Sequence, residues 1–249
     1  METKAAATLE RCRAGAGLDE LPLPIPIEEW IEGQLGIELG FSDLTRFGEN
    51  VLGAAYTNPR SIQISETLVD QEARLRFTCG HELGHLVLHA GQADSFTDDT
   101  VETWDTTQRL ERQADRFAAA VLMPVSLLYR ELYAVLDQHG FDPPKAVTEL
   151  MLDSPEAAWL WKKLVLPGLT ERFCVSLTAL LFRFDDFTLP DGKPFLLPEH
   201  RPRLARSLAA LYANDPIHEV IKEPGRLQRL RRSLPVPGTP TQHQQHLFA

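Results

Sequence analysis

Three histidines at equal steps of four residues, His81, His85 and His89, stand in the stretch RFTCGHELGHLVLHA (76–90). No other feature limits the fold as tightly, because imidazoles share an ion only where the backbone carries them to one point. On an α-helix, residues four apart lie on one face, about 6 Å apart along the axis. His81 and His85 can therefore converge on one metal, each at roughly 2.0–2.1 Å from it. His89 would lie about 12 Å along the axis from His81, whereas two ligands of one ion sit within about 4 Å of each other. The helix thus excludes His89 from that shell and leaves it as a polar group at the helix end, capping or touching a ligand from behind. Glu82 follows His81 and completes HELGH, a match to HExxH. Its carboxylate can reach a water at the ion and act as general base. Phe77, Leu86 and Leu88 are available to bury the other faces of this helix.

A catalytic zinc takes three protein ligands and keeps one position open. The metzincin solution needs a third histidine six residues after the second, and Gly91 stands there. The other solution is a Glu on a later helix. LERQADRFAAAVLM offers Glu111, with Asp115 one turn on. In thermolysin-like enzymes such a pair supplies a ligand and a carboxylate that bonds a ligand histidine's other nitrogen, fixing its tautomer. Alone, the two acids read as the exposed face of an amphipathic helix; beside HExxH they read as site residues.

The rest of the chain divides by texture. Residues 1–26 end in LPLPIPI, whose prolines forbid a helix, and read as a flexible arm. EEWIEGQLGIEL (28–39) reads as a short amphipathic helix. VLGAAYT (51–57) and SIQIS (61–65), joined by Asn-Pro-Arg, read as a hairpin. A helical pattern carrying the histidines starts at Val69. Ser95 to Thr107 reads as a solvated acidic loop, and a second strong helix follows it and stops at Pro124. Beyond lie short helical patterns at 125–138, 144–152, 155–165 and 203–213, with helix, turn, helix at 169–184 and a basic helix, GRLQRLRRSL. The expected fold is α+β: a small zincin-like catalytic unit with a short antiparallel sheet and the HExxH helix, then an all-helical region. The expected divisions are an arm at 1–26, a peptidase domain at 27–130, a helical region at 131–234 and a disordered Pro- and Gln-rich tail at 235–249.

RFTCGHELGHLVLH followed by ERQADRFAAAVLMP, with AAYTNPRSIQIS upstream, resembles the ImmA/IrrE family of bacterial metallopeptidases. The resemblance spans roughly residues 28–130 and extends to FCVSLTALLFRF, similar to the family's helical segment behind the peptidase unit. It implies zinc held by His81, His85 and Glu111, with Glu82 as the base. It also implies a biological role, the cutting of a helix-turn-helix (XRE-like) repressor to induce stress or mobile-element genes. Cys79 departs from the family, which usually carries a small apolar residue there.

A mechanism follows from these parts. Zinc brings the pKa of its water towards about 7, and Glu82 takes that water's proton and passes it to the leaving amine. Tyr56, on the strand before the active helix, is a candidate donor to the oxyanion, against the commoner reading of a sheet tyrosine with a solvated hydroxyl. SIQIS, as a sheet edge, would bind substrate as an added strand. An open His-His-Glu site also accepts manganese.

Composition bounds the partners. The formal net charge of −10 argues against a protein built to grip nucleic acid. The run from Asp94 through Asp98, Asp99, Glu102 and Asp105 carries no Lys or Arg and suits either a basic partner or a solvated face. Between Phe173 and Phe187 only Arg183 is basic, which argues for a packing or docking module over direct DNA binding. Arg226, Arg229, Arg231 and Arg232 form the one patch suited to phosphate, or a solvated helix face. The three cysteines, Cys12, Cys79 and Cys174, carry no disulfide pattern; Cys79 reads as a packing residue before a redox one. METKAAATLERCRAG lacks the apolar core of a signal peptide, and no run approaches 18 apolar residues. A cytoplasmic zinc endopeptidase that cleaves a repressor is the leading expectation. A non-cleaving regulator built on the same fold and a broad-specificity peptidase are the alternatives.

Overall fold

The computed structural model describes residues 1–48, 50–97, 104–152, 154–186 and 225–232. Helix α1 (Glu2–Gly15) occupies most of the expected arm. Its run of alanines and long-chain residues favours helix, and Ala5, Leu9 and Cys12 form a buried stripe at i, i+4, i+7. That stripe lies against a later helix, so the expected flexible arm is corrected: an apolar face overrode the absence of strong flanking signals. The proline-rich segment that follows is docked too, with Ile25 fully buried and its carbonyl accepting Arg76 Nη2–H at 2.6 Å.

Helix α2 (Ile27–Gly33) is shorter than expected. Gly36 takes φ +65°, which ends the helix and lets the apolar IEL continue as strand β1 (Glu38–Ser42). Strands β2 (Gly53–Thr57) and β3 (Arg60–Ser65) form the expected hairpin around the cis Asn58–Pro59 turn. Strand β4 (Ser95–Thr97) pairs antiparallel with β2 in a stretch expected to be loop. The strand order is β1-β3-β2-β4. The α+β class holds, with one refinement: β1 and β3 pair in parallel, so the sheet is mixed. The chain leaves β1, skips one position to lay down β2, and β3 then fills the gap. As a result β3 is internal, correcting SIQIS as a sheet edge; β1 and β4 are the edges.

Helix α3 (Glu72–Leu88) carries the histidines and packs against β2, β3 and helix α4 (Trp104–Leu122). Two pairs of small residues set the spacing of α3 and α4. A Cβ placed on Gly80 would lie 3.2 Å from Ala118 Cβ and 3.3 Å from its Cα. One placed on Gly84 would lie 3.1 Å from Ala114 Cα and 3.2 Å from its carbonyl oxygen. Higher numbers on α3 meet lower numbers on α4, so the helices run antiparallel.

Behind this unit stand helices α5 (Val125–Gln138), α6 (Pro143–Leu150), α7 (Pro155–Leu160), α8 (Leu166–Phe173) and α9 (Leu177–Asp186). Pro124 separates α4 from α5 and the chain bends 55° there. Asp142 and Ser154 cap α6 and α7, each followed by a proline at the first helical turn. A wide turn at Trp161–Val165 joins α7 to α8. Cys174, at φ 51°, ends α8, and the α7–α8 run meets α9 at 106°, within the range of a helix-turn-helix.

Several basic residues of this region are paired within the chain. Arg183 is 1% exposed; its Nε–H donates to the Met123 carbonyl at 2.8 Å and its guanidinium pairs with Glu2. The segment Gly225–Leu230 is a 3₁₀ turn, not the expected α-helix, and buries Leu227 and Leu230. Arg229 pairs with Glu149 at 2.9 Å, Arg231 stacks on Phe141, and Arg232 pairs with Asp137. Three of the four arginines of the expected phosphate patch, Arg229, Arg231 and Arg232, are therefore engaged with the helical region. The expected helix at 203–213, the tail 235–249, and Asp98, Asp99 and Glu102 lie outside the described residues. Among the described residues no single helix is long and apolar enough to cross a membrane.

The α3–α4 contact yields a test. Gly84→Ala gains about 1 kcal/mol of helix propensity but forces a methyl against the Ala114 backbone, an overpacking cost of about 1–3 kcal/mol. We expect a net loss of about 1 kcal/mol, seen as a Tm lower by roughly 2–4 °C. Gly33→Ala, where an added Cβ meets nothing within 4 Å, should show no such loss. Equal behaviour of the two variants would refute the close contact.

Candidate metal centre

The antiparallel register of α3 and α4 brings four expected residues together. His81 Nε2 lies 3.0 Å from Glu111 Oε2 and 3.0 Å from His85 Nε2. His85 Nε2 lies 3.4 Å from Glu111 Oε1. The candidate ligand atoms of His81, His85 and Glu111 all fall within 4.8 Å of one another. Two imidazole nitrogens and a carboxylate oxygen are the donor set of an open zinc site, so the residues present fit the ion the motif implies. Asp115 Oδ1 accepts from His81 Nδ1–H at 2.9 Å, leaving the His81 Nε2 lone pair directed at the centre.

Charge around the centre follows from this geometry. Burial opposes the protonation of His81, but its bonds to Asp115 and Glu111 outweigh that and hold its pKa well above the usual value. Burial alone would raise the Glu111 carboxyl; bonds to His81 and His85 instead depress it to about 2. Glu111 is therefore a carboxylate at any pH near neutrality.

Glu82 is 3% exposed and sits beside the histidine pair, over β2. A Cβ placed on Gly53 would come within 2.3 Å of Glu82 Oε1 and 2.8 Å of its Cγ. The carboxylate thus occupies the space that any side chain at 53 would take. Phe96 of β4 stacks on the His85 ring, with centroids 4.8 Å apart and planes 20° apart. The sequence signals neither contact: Gly53 reads as a small strand residue, and Phe96 falls in a stretch that reads as loop.

His89 ends α3 and is 1% exposed. Its Nδ1 lies 3.2 Å from His85 Nδ1 and its Nε2 3.0 Å from Gln113 Oε1. The ring touches a candidate ligand from behind and stays out of the cluster. Burial first, then the neighbouring imidazoles, lowers its pKa, so the ring is neutral at pH 7.

Tyr56 is not brought to the centre. In β2, Gly53 and Ala55 face α3, since Gly53 lies against Glu82 and Ala55 pairs with Phe96. Strand alternation turns Tyr56 to the opposite face, where it pairs with Ser61 and Ser95. Cys79 is fully buried in the core; burial, then the Glu28 and Glu82 carboxylates, pushes its thiol far up. It packs as a neutral thiol.

Residues 32–139 match the family model Peptidase M78, the IrrE N-terminal-like domain. Comparison with curated proteins gives no match. Among solved structures, a Mycobacterium tuberculosis transcriptional regulator is similar at 17% identity and a TM-score of 0.45, over 78% of this chain and 49% of that one. The chain therefore spans about half the length of that protein. The family match begins in α2, runs through α5 and contains His81, Glu82, His85, Glu111 and Asp115. Residues 32–139 thus carry an IrrE N-terminal-like domain, a match that supports the ImmA/IrrE family and suggests a peptidase role.

Proposed function

We propose that this chain is a zinc-dependent endopeptidase of the cytoplasm that cleaves a helix-turn-helix transcriptional repressor. The observation that carries the reading is the convergence of His81, His85 and Glu111, with the Glu82 carboxylate held beside them over Gly53. Zinc, when bound, supplies a Lewis acid that polarises a carbonyl and acidifies a water to a pKa of about 7. His81, His85 and Glu111 would hold it, and manganese suits the same donors. Glu82 takes the proton of the attacking water and delivers it to the leaving amine. Asp115 keeps the His81 ring in the tautomer that presents Nε2.

Substrate would add to β4, the sheet edge whose Phe96 lies against His85. The net charge of −10 favours a basic partner. With Arg183 buried and Arg229, Arg231 and Arg232 engaged within the chain, the helical region reads as a platform for a protein partner rather than for DNA. A non-cleaving regulator would need no general base; the buried Glu82 carboxylate against Gly53 supports the cleaving reading instead.

The direct test is cleavage of the helix-turn-helix regulator encoded nearest this gene, with added zinc or manganese, read by intact mass. One defined cut is expected. Glu82→Gln should retain one zinc per chain and lose about 10²- to 10⁴-fold in rate; loss of the metal would show that Glu82 is a ligand. Gly53→Ala should also keep the metal and slow cleavage by about 10- to 100-fold, because it displaces the base and not the ligands. Glu111→Ala should weaken zinc binding by more than about 100-fold, beyond the effect of losing an outer partner.

The His81 shift adds a pH prediction. In the metal-free protein its pKa is raised, so its stabilising contribution is complete below about pH 6.5 and is lost as pH rises through the higher folded value. Zinc requires the neutral ring and acts in the opposite sense. The Tm increment produced by zinc should therefore grow steadily from about pH 6 to about pH 8; a flat increment would contradict the assignment of His81.

A further inference from the structure

Gln113, His89 and His85 form a hydrogen-bonded file across the α3–α4 interface. We propose that this file is a tautomer lock: Gln113 and His89 are positioning residues that set the His85 proton on Nδ1 and leave its Nε2 free for the ion. The inference rests on the metal reading above and assigns Gln113 a part in it.

The order of protons can be reasoned from either end. At the centre, His85 Nε2 is the atom that faces His81 Nε2 and Glu111. A neutral imidazole carries one N–H, so if Nε2 is to keep its lone pair, Nδ1 must hold the proton. That N–H points at His89 Nδ1, 3.2 Å away, which must then accept. Neutral His89 must in turn carry its proton on Nε2 and donate it. The atom found there, at 3.0 Å, is Gln113 Oε1, an acceptor. Read outward from Gln113, the same order results. An acceptor at Gln113 fixes His89 Nε2–H, which fixes His89 Nδ1 as acceptor, which fixes His85 Nδ1–H. A donor in place of Gln113 Oε1 would invert every step and put the proton on the nitrogen that faces the centre.

The file complements the partner on the first histidine. Asp115 holds His81 Nδ1–H directly, while His85 is held through a second ring. Glu111 and Asp115 lie four apart on one flank of the buried stripe of α4, and Gln113 lies between them in sequence on the other flank. One helix thus supplies the candidate third ligand and both orienting acceptors. His89 is buried at the end of α3, so this contact is shielded from water that would otherwise satisfy either tautomer.

The test uses the full chain and is read first without metal. Long-range ¹H–¹⁵N correlation on ¹⁵N-histidine-labelled, metal-free protein should show His85 protonated on Nδ1 and His89 on Nε2. The opposite assignment for either ring would overturn the proposal. Two substitutions of similar length then separate chemistry from packing. Gln113→Glu keeps an acceptor and should leave zinc affinity, measured against a chelator at about pH 8, within about threefold of the parent. Gln113→Lys offers only donors and should lower it by about 10- to 100-fold, the range seen for lost outer partners. It should also move the His89 proton to Nδ1. Equal affinities for Glu and Lys at 113, with unchanged tautomers, would reduce the file to packing. If the parent chain bound no zinc at all, the metal reading would fall, while the tautomers of the metal-free protein would still decide the order of protons.

Discussion

Gly80 and Gly84 let the backbone of α3 lie directly on Ala114 and Ala118 of α4, and the candidate centre depends on that approach. Contacts of 3.1–3.3 Å from an added Cβ to Ala114 and Ala118 are tighter than ordinary van der Waals contact, so even a methyl group would push the helices apart by a few tenths of an ångström. Histidine and glutamate side chains are of fixed reach, so the spacing of the helix backbones sets whether their tips meet at 3.0–3.4 Å or stand apart. The same register places Asp115 behind His81 and Gln113 behind His89. A single pair of small-residue steps thus aligns the three candidate ligands and their supports at once. The arrangement works in the same sense as close helix packing elsewhere, where small residues four apart let two backbones approach.

The sheet supports the centre from the other side. Gly53 of β2 leaves room for the Glu82 carboxylate, and Phe96 of β4 lies flat on His85. Both residues fall on strands paired through β2, so a small β unit controls where the candidate base and one candidate ligand ring can sit. The rings and carboxylates balance one another: against the opposing effect of burial, the carboxylates of Glu111 and Asp115 raise the His81 pKa, and the imidazoles depress that of Glu111. A divalent cation would enter a place already shaped for positive charge.

Much of this is legible in the sequence because it obeys a period. HELGH names the turn of helix that carries His81, Glu82 and His85, and the hairpin around Asn58–Pro59 announces itself by alternation and turn chemistry. The boundary of α2 is hard to place because a glycine at φ +65° ends a pattern that still looks amphipathic. β4 is hidden because so short a strand has no periodic signal, and its pairing is decided by β2, far earlier in the chain. Helix α1 is masked by the prolines after it. Tyr56 is suggested by proximity in sequence, which cannot tell one face of a strand from the other until the register is known. Gly80 and Gly84, and Ala114 and Ala118, stand in plain view at intervals of four; matching the two sets would anticipate the α3–α4 contact.

The measurement that bears most directly on the centre is zinc K-edge X-ray absorption of the metal-loaded chain. Two imidazoles and one carboxylate, with every directly bonded scatterer nitrogen or oxygen at about 2.0–2.2 Å, are predicted. A sulfur scatterer at about 2.3 Å would bring Cys79 to the ion, and a third imidazole would bring His89. Either result would contradict the account in which His81, His85 and Glu111 alone hold the metal.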